Sequence, residues 1–119
     1  MAVPILKQGP FLIASIQSAL TDTDVLQLRD DVMAQVTRHR SRGIIVDVTS
    51  LDVMDSFVSR SLQGIARMTR LRGAETVIVG IQPEVAFAMV QLGMSFEDVQ
   101  TALDLEEGLA LLEAGFGGT

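Results

Sequence analysis

Gly43-Ile44-Ile45-Val46-Asp47-Val48 leads, across Thr49-Ser50, into Leu51-Asp52-Val53-Met54-Asp55-Ser56-Phe57-Val58-Ser59-Arg60, and this passage decides the fold. Its first six residues are nearly all apolar and β-branched and too few for a helix, the pattern of a central strand covered on both faces. The period then changes. Val58, Leu62, Ile65 and Met68 recur at helical spacing and predict a helix over about residues 57–71, with Arg67, Arg70 and Arg72 near its negative end and Gly73 as its stop. Ser56 stands where that helix starts. A hydroxyl there serves either as a cap or as an exposed group offered to a partner enzyme at the positive end of the helix dipole.

Upstream, residues 3–6 and 11–16 are β-rich runs separated by Lys7-Gln8-Gly9-Pro10, which predicts a hairpin, and Pro4 puts the first run at a sheet edge. Thr21 and Asp24 form a capping-box variant, flanked by Leu20 and Val25 at the staple positions; Val25, Leu28, Val32 and Val36 then define one buried helical face. Arg38, His39, Arg40 and Arg42 follow, with Gly43 as the expected stop, and compensation of the helix dipole accounts for them more simply than a binding patch.

Downstream, Thr76-Val77-Ile78-Val79 reads as another buried strand, and Gln82-Pro83-Glu84 opens a third helix with Val85, Met89 and Leu92 inward and Gly93 as its end. Phe96 and Val99 suggest a short last strand between residues 94 and 100. Asp104 and Glu107 then cap a fourth helix that carries Leu105, Leu109 and Leu112 inward, and the glycine-rich end, Gly115 to Thr119, is expected to fray. The order β, β, α, β, α, β, α, β, α implies an α/β fold: a mostly parallel sheet with an antiparallel N-terminal edge and about four helices, in one domain over residues 1–119.

Composition narrows the function. The chain is 48% hydrophobic and 20% charged, and only 4% aromatic, so aliphatic side chains must fill the core. A net charge of −6 disfavours nucleic acid and anionic membrane surfaces, which are held by clustered Lys and Arg. Without cysteine there are no disulfides or thiolate sites, and one histidine excludes multi-histidine metal centres. The start of the chain lacks a basic segment followed by an apolar one, and no apolar run approaches the roughly 18 residues of a spanning helix, so a soluble cytoplasmic protein is expected.

Enzyme motifs are scarce. The turn from Asp47 to Asp55 has no glycine with which to bring backbone N–H groups against a phosphate, which argues against a dinucleotide fingerprint or a P-loop there. Asp47, Asp52 and Asp55 are candidates to gather around a divalent cation in a metal-dependent hydrolase; the plainer alternative is a solvated acidic loop with Asp55 capping a helix. A Ser-His-Asp arrangement fails because His39 falls at the far end of the first helix. Residue chemistry alone thus leaves Ser56 as either a cap or a modification site.

The strand ending Ile45-Val46-Asp47-Val48 and the pair Asp55-Ser56 at the next helix start resemble the STAS domains, the anti-anti-sigma antagonists of bacterial regulatory switches. The likeness extends through Pro4-Ile5-Leu6-Lys7, Ser15-Ile16-Gln17, Asp52-Val53-Met54-Asp55-Ser56-Phe57, Gly80-Ile81-Gln82-Pro83 and Thr101-Ala102-Leu103-Asp104-Leu105-Glu106. The commoner antagonists continue Asp-Ser with Ser or Thr and then Gly; Phe57 and Val58 follow here, as in the S-type (RsbS) scaffold group of the stressosome. That resemblance implies a non-enzymatic role without cofactor or metal in a bacterial stress-response cascade. It implies capture of an RsbT-type serine kinase through Asp55 and Ser56, and release of that kinase on phosphorylation of Ser56, with Ser59 a secondary candidate. The implied partners are RsbR-type STAS scaffold proteins, self-association in a large complex and a PP2C-type phosphatase. An adaptor module of a membrane transporter is the alternative within the same fold.

Overall fold

The structure is a computed structural model and describes residues 3–93, 96 and 99–117, the side chains of 116 and 117 excepted. Among these residues the elements run β1 (Ile5–Gln8), β2 (Phe11–Ser15), α1 (Asp22–His39), β3 (Gly43–Asp47), α2 (Ser56–Leu71), β4 (Glu75–Val79), α3 (Pro83–Gln91), β5 (Gln100–Ala102) and α4 (Leu105–Gly117). The strands lie in the order β1-β2-β3-β4-β5, with β1 antiparallel to β2 and every other pair parallel. This is the α/β arrangement expected from the sequence.

Alternation along each strand divides the core in two. Leu12, Ala14, Ile44, Val46 and Ile78 face one side and pack with Val25, Leu28 and Val32 of α1, Val58 and Leu62 of α2, and Val85 and Met89 of α3. Phe11, Ile13, Ile45, Val77 and Val79 face the other, where Leu112 is buried and Leu105 and Leu109 of α4 pack against them. Strand β3 is thus covered on both faces, which is why its sequence does not alternate. Each fully buried Leu or Ile in this arrangement contributes about 1.5–3 kcal/mol.

Several boundaries depart from the expectation, each for a local reason. The two-residue connection Gly9-Pro10 sets Gln8 opposite Phe11, so β1 occupies Ile5–Gln8 rather than residues 3–6; Pro4 precedes the strand and only accepts, from the Ser15 N–H at 3.1 Å. Helix α1 stops at Arg40, whose N–H makes the last helical bond to the Val36 carbonyl and whose left-handed backbone (φ 49°) turns the Ser41 N–H back onto that same carbonyl at 3.2 Å. Gly43 instead begins β3, where a Cβ would lie 2.8 Å from the Leu112 side chain, so its role is close packing under α4 rather than helix termination.

In α2 the inward position expected of Met68 belongs to Thr69. Met68 is 38% exposed, while Thr69 is fully buried, its hydroxyl bonded to the Ala66 carbonyl and paired with the Thr76 hydroxyl at 2.9 Å. Helix α3 ends at Gln91, which turns Leu92 outward at 69% exposure. The last strand lies at Gln100–Ala102, beyond Phe96 and Val99; the remainder of the expected strand, residues 94, 95, 97 and 98, lies outside the described residues. Asp104 accepts from the Glu107 N–H at 2.9 Å and starts α4, which continues through Gly115 to Gly117 where fraying was expected; residues 118 and 119 lie outside the described residues.

Candidate functional site at the start of α2

The carboxyl ends of the parallel strands are where loops are free to carry function in an open α/β sheet. Here the β3–α2 connection is held in shape by three sets of contacts. Asp47, the last residue of β3, accepts from both the Thr49 N–H (2.9 Å) and the Thr49 hydroxyl (2.6 Å), a local turn that Asp is suited to make. The Gln82 side-chain amide donates to the Thr49 carbonyl at 2.7 Å and ties this loop to the start of α3. Leu51 and Met54 are buried in the larger core cluster and anchor the middle of the loop, which leaves Asp52 and Val53 exposed between them.

Gly80 makes room for this turn. It has φ 80°, and a Cβ there would overlap the Thr49 side chain. Thr49 did not stand out in the sequence, although the spacing Asp47-x-Thr49 is the ordinary signature of a side-chain-closed turn, and Gln82 stood out as the opening of α3 but not as a tie to this loop.

The cap of α2 is Asp55. Its backbone is extended, and its carboxylate accepts from the Val58 N–H at 2.8 Å, satisfying one of the donors that a helix start leaves without partners. Ser56 is therefore the first residue of α2 and not its cap, a correction to the position assigned from the sequence. Its side chain is exposed, no hydrogen bond to its hydroxyl is found among the described residues, and its carbonyl accepts from Arg60 Nε at 3.3 Å. The hydroxyl thus sits at the positive end of a sixteen-residue helix without a structural task.

Phe57, half-buried, packs against the core and fixes the direction of entry into the helix. Ser59 is one turn further on. It is only 4% exposed and its Oγ has no hydrogen-bond partner, so a kinase reaches it only if α2 opens locally.

The remaining candidates are dispersed. Asp47 is engaged by Thr49, Asp55 by the helix, and Asp52 points to solvent; among the described residues no group of three His, Asp or Glu side chains is placed to hold a metal. His39 lies in the last turn of α1, at the opposite end of the sheet from Ser56. Among the described residues no helix is long and apolar enough to cross a membrane.

A model of the STAS domain matches residues 2–108. RsbS from Moorella thermoacetica, solved as a serine-to-glutamate variant, superposes with a TM-score of 0.82 at 32% identity over 98% of each chain. A chain of a structure reporting the molecular architecture of the stressosome, described as a signal integration and transduction hub, superposes with a TM-score of 0.75 at 32% identity, covering 92% of this chain and 96% of that one. The RsbT co-antagonist protein RsbRA of Bacillus subtilis is 30% identical over 83 residues, which is 70% of this chain. The chain spans only 30% of the length of that curated relative. A family match over residues 2–108, which include the β3–α2 passage that positions Ser56, places the chain in the STAS domain family, related to the RsbS and RsbR proteins of the stressosome.

Proposed function

We propose that this protein is a non-enzymatic stressosome scaffold and antagonist that holds an RsbT-type serine kinase and releases it when Ser56 is phosphorylated. The observation that carries the reading is the division of labour at the start of α2: Asp55 caps the helix, which leaves the exposed Ser56 hydroxyl available for chemistry. Similarity to a Moorella RsbS and to proteins named as RsbT co-antagonists supplies the partner class. RsbR-type STAS proteins are the co-assembling partners in this reading, and a PP2C-type phosphatase restores the unmodified state.

Phosphorylation adds a charge of about −1.5 to −2 at neutral pH. At the first position of a helix that charge meets backbone N–H groups and the positive dipole end, so the fold tolerates it without rearrangement. A docked partner does not. Asp52 and Asp55 flank the site, and adding a phosphate to them across an interface costs several kcal/mol where each 1.4 kcal/mol is tenfold in affinity. Kinase release then follows from local electrostatics.

Size-exclusion chromatography with an RsbR-type partner and an RsbT-type kinase tests this directly. Unphosphorylated protein is expected to co-elute with both in a large complex, and phosphorylated protein to keep the RsbR-type partner while losing the kinase. Retention of the kinase by the phosphorylated form would defeat the release mechanism; failure to assemble with any RsbR-type protein would defeat the scaffold role.

A further inference from the structure

Between the carboxyl-terminal ends of α1 and α2 lies a cleft of about 280 Å³ in which the Ser56 site has no part. Its walls carry three arginines, Arg40, Arg42 and Arg72, with Thr37 and Ser41 adding hydroxyls, and none of its lining residues is acidic. The acidic side chains in the neighbourhood are placed elsewhere. Glu75, at the start of β4, is engaged by Arg70 at 3.7 Å, and Glu113 is exposed on α4, which packs on the opposite face of the sheet from α1 and α2.

Ser41 is only 5% exposed, yet it lines the cleft, and no hydrogen bond to its hydroxyl is found among the described residues. Buried hydroxyls are ordinarily bonded, so one left open toward a basic hollow points to an accepting partner from outside the chain. Arg40 holds a left-handed backbone, φ 49°, at a helix end where glycine is the relaxed choice, and so sets a guanidinium on the cleft wall at a conformational cost. Compensation of the helix dipoles accounts for Arg38 and Arg70, in the last turns of α1 and α2. It does not account for an unbonded, buried hydroxyl among three arginines. The backbone beneath them is fixed: the Arg42 N–H donates to the Pro10 carbonyl at 2.8 Å, and the Glu75 N–H donates to the Arg42 carbonyl at 3.0 Å. Little backbone ordering therefore opposes binding.

We infer that this cleft is a binding site for a small phosphate-class anion, of which diphosphate is the best match. Guanidinium forks fit phosphate oxygens two at a time, and the Ser41 hydroxyl donates to an oxygen deeper in the cleft. Three guanidiniums are matched better by the several charges of a diphosphate than by the single charge of a carboxylate or a halide. Size agrees. Sites for drug-sized ligands span about 300–1,000 Å³, so this smaller cleft takes a compact anion, either free or as the diphosphate end of a ligand whose remainder stays outside. The net charge of −6 opposes an anion only weakly, because at about 0.1 M salt the screening length is about 10 Å. The cleft stands at the far end of the sixteen-residue α2 from Ser56, and it does not rest on the kinase reading.

Isothermal titration calorimetry of the purified chain with inorganic pyrophosphate at about 0.1 M salt is the experiment, with four variants whose folding is followed by circular dichroism. Arg40→Gly removes one guanidinium while relaxing the backbone, so it is expected to bind at least about tenfold more weakly with Tm unchanged or raised. Arg72→Gln is expected to lose as much, and Ser41→Ala about threefold or more. Arg38→Gln is the control. Its side chain lines a separate hollow with Asp31 and Gln35, so it is expected to stay within about twofold of wild type. Should Arg40→Gly alter the end of α1, Arg72→Gln carries the test alone. Competition by ADP at similar concentration would identify a nucleoside diphosphate as an admissible source of the anion, and failure to compete would restrict the site to the free anion; both uphold it. Absence of binding at about 1 mM pyrophosphate, undiminished binding by Arg72→Gln, or an equal loss in Arg38→Gln each overturns it.

Discussion

Replacing Asp55 with Ala separates the two roles that a helix start can give to adjacent residues. The Asp55 carboxylate accepts from the Val58 N–H at 2.8 Å in a half-buried setting, and truncation leaves that donor without its partner. Loss of such a cap costs about 0.5–2 kcal/mol, and removal of a negative charge from the positive end of α2 adds about 0.3–1 kcal/mol. The expected total is about 1.5 kcal/mol, which lowers Tm by about 5 °C in a domain of this size. Asp55→Asn keeps a competent cap and loses only the charge, so it falls about 0.3–1 kcal/mol below wild type. Ser56→Ala removes a hydroxyl for which no hydrogen bond is found among the described residues, and should stay within about 0.5 kcal/mol. Thermal unfolding of the four proteins by circular dichroism at neutral pH ranks them. If Ser56→Ala lowers Tm as far as Asp55→Ala does, Ser56 shares the capping task and the reasoning that leaves it free for modification fails.

The buried pair Thr69 and Thr76 should show strong coupling: either single change to Val leaves the other hydroxyl less well satisfied and costs about 1–3 kcal/mol, while the double change costs less than the sum, as a double-mutant cycle in urea would measure. Gly80→Ala combines a positive φ with overlap against Thr49 and should lose roughly 2–4 kcal/mol, read as a shifted urea midpoint with an unchanged slope. Asp24 is held below its ordinary pKa of 3.8, chiefly because its carboxylate accepts the Thr21 backbone N–H and secondly the Thr21 hydroxyl bond. A carboxyl whose folded pKa is depressed stabilises above its unfolded value and loses that contribution as pH falls through the folded one. The stability gap between wild type and Asp24→Asn should therefore be constant near neutrality and close below about pH 4; a gap that widens on acidification would reverse the assignment.

Much of this architecture is legible in the sequence, because its signals are local. The apolar run from Ile44 to Val48 identifies the central strand, Thr21 with Asp24 identifies a helix start that the structure closes as a full capping box, and Gly9-Pro10 identifies the hairpin. What was misjudged depends on contacts between distant segments. Periodicity admits Met68 and Thr69 to the same face equally well; the hydroxyl of Thr76 on β4 decides for Thr69. Gly43 looks like a helix stop until Leu112, some seventy positions away, is seen to need the space of its missing side chain.

At the site the difference was a single residue and it mattered most. Asp55 and Ser56 are both good caps, and one-dimensional spacing cannot choose between them. Only the extended backbone at Asp55 and the direction of its carboxylate make the choice. The burial of Ser59 was equally invisible, since a serine one turn into an amphipathic helix sits between the faces that periodicity assigns.

The central claim is that Ser56 is the phosphoacceptor, and the most direct measurement is to incubate the protein with an RsbT-type kinase and ATP and to locate the phosphate by peptide mass spectrometry. The account predicts one phosphate, on Ser56, absent from Ser56→Ala and unaffected in Ser59→Ala. Phosphate on any other residue, or undiminished labelling of Ser56→Ala, would contradict it.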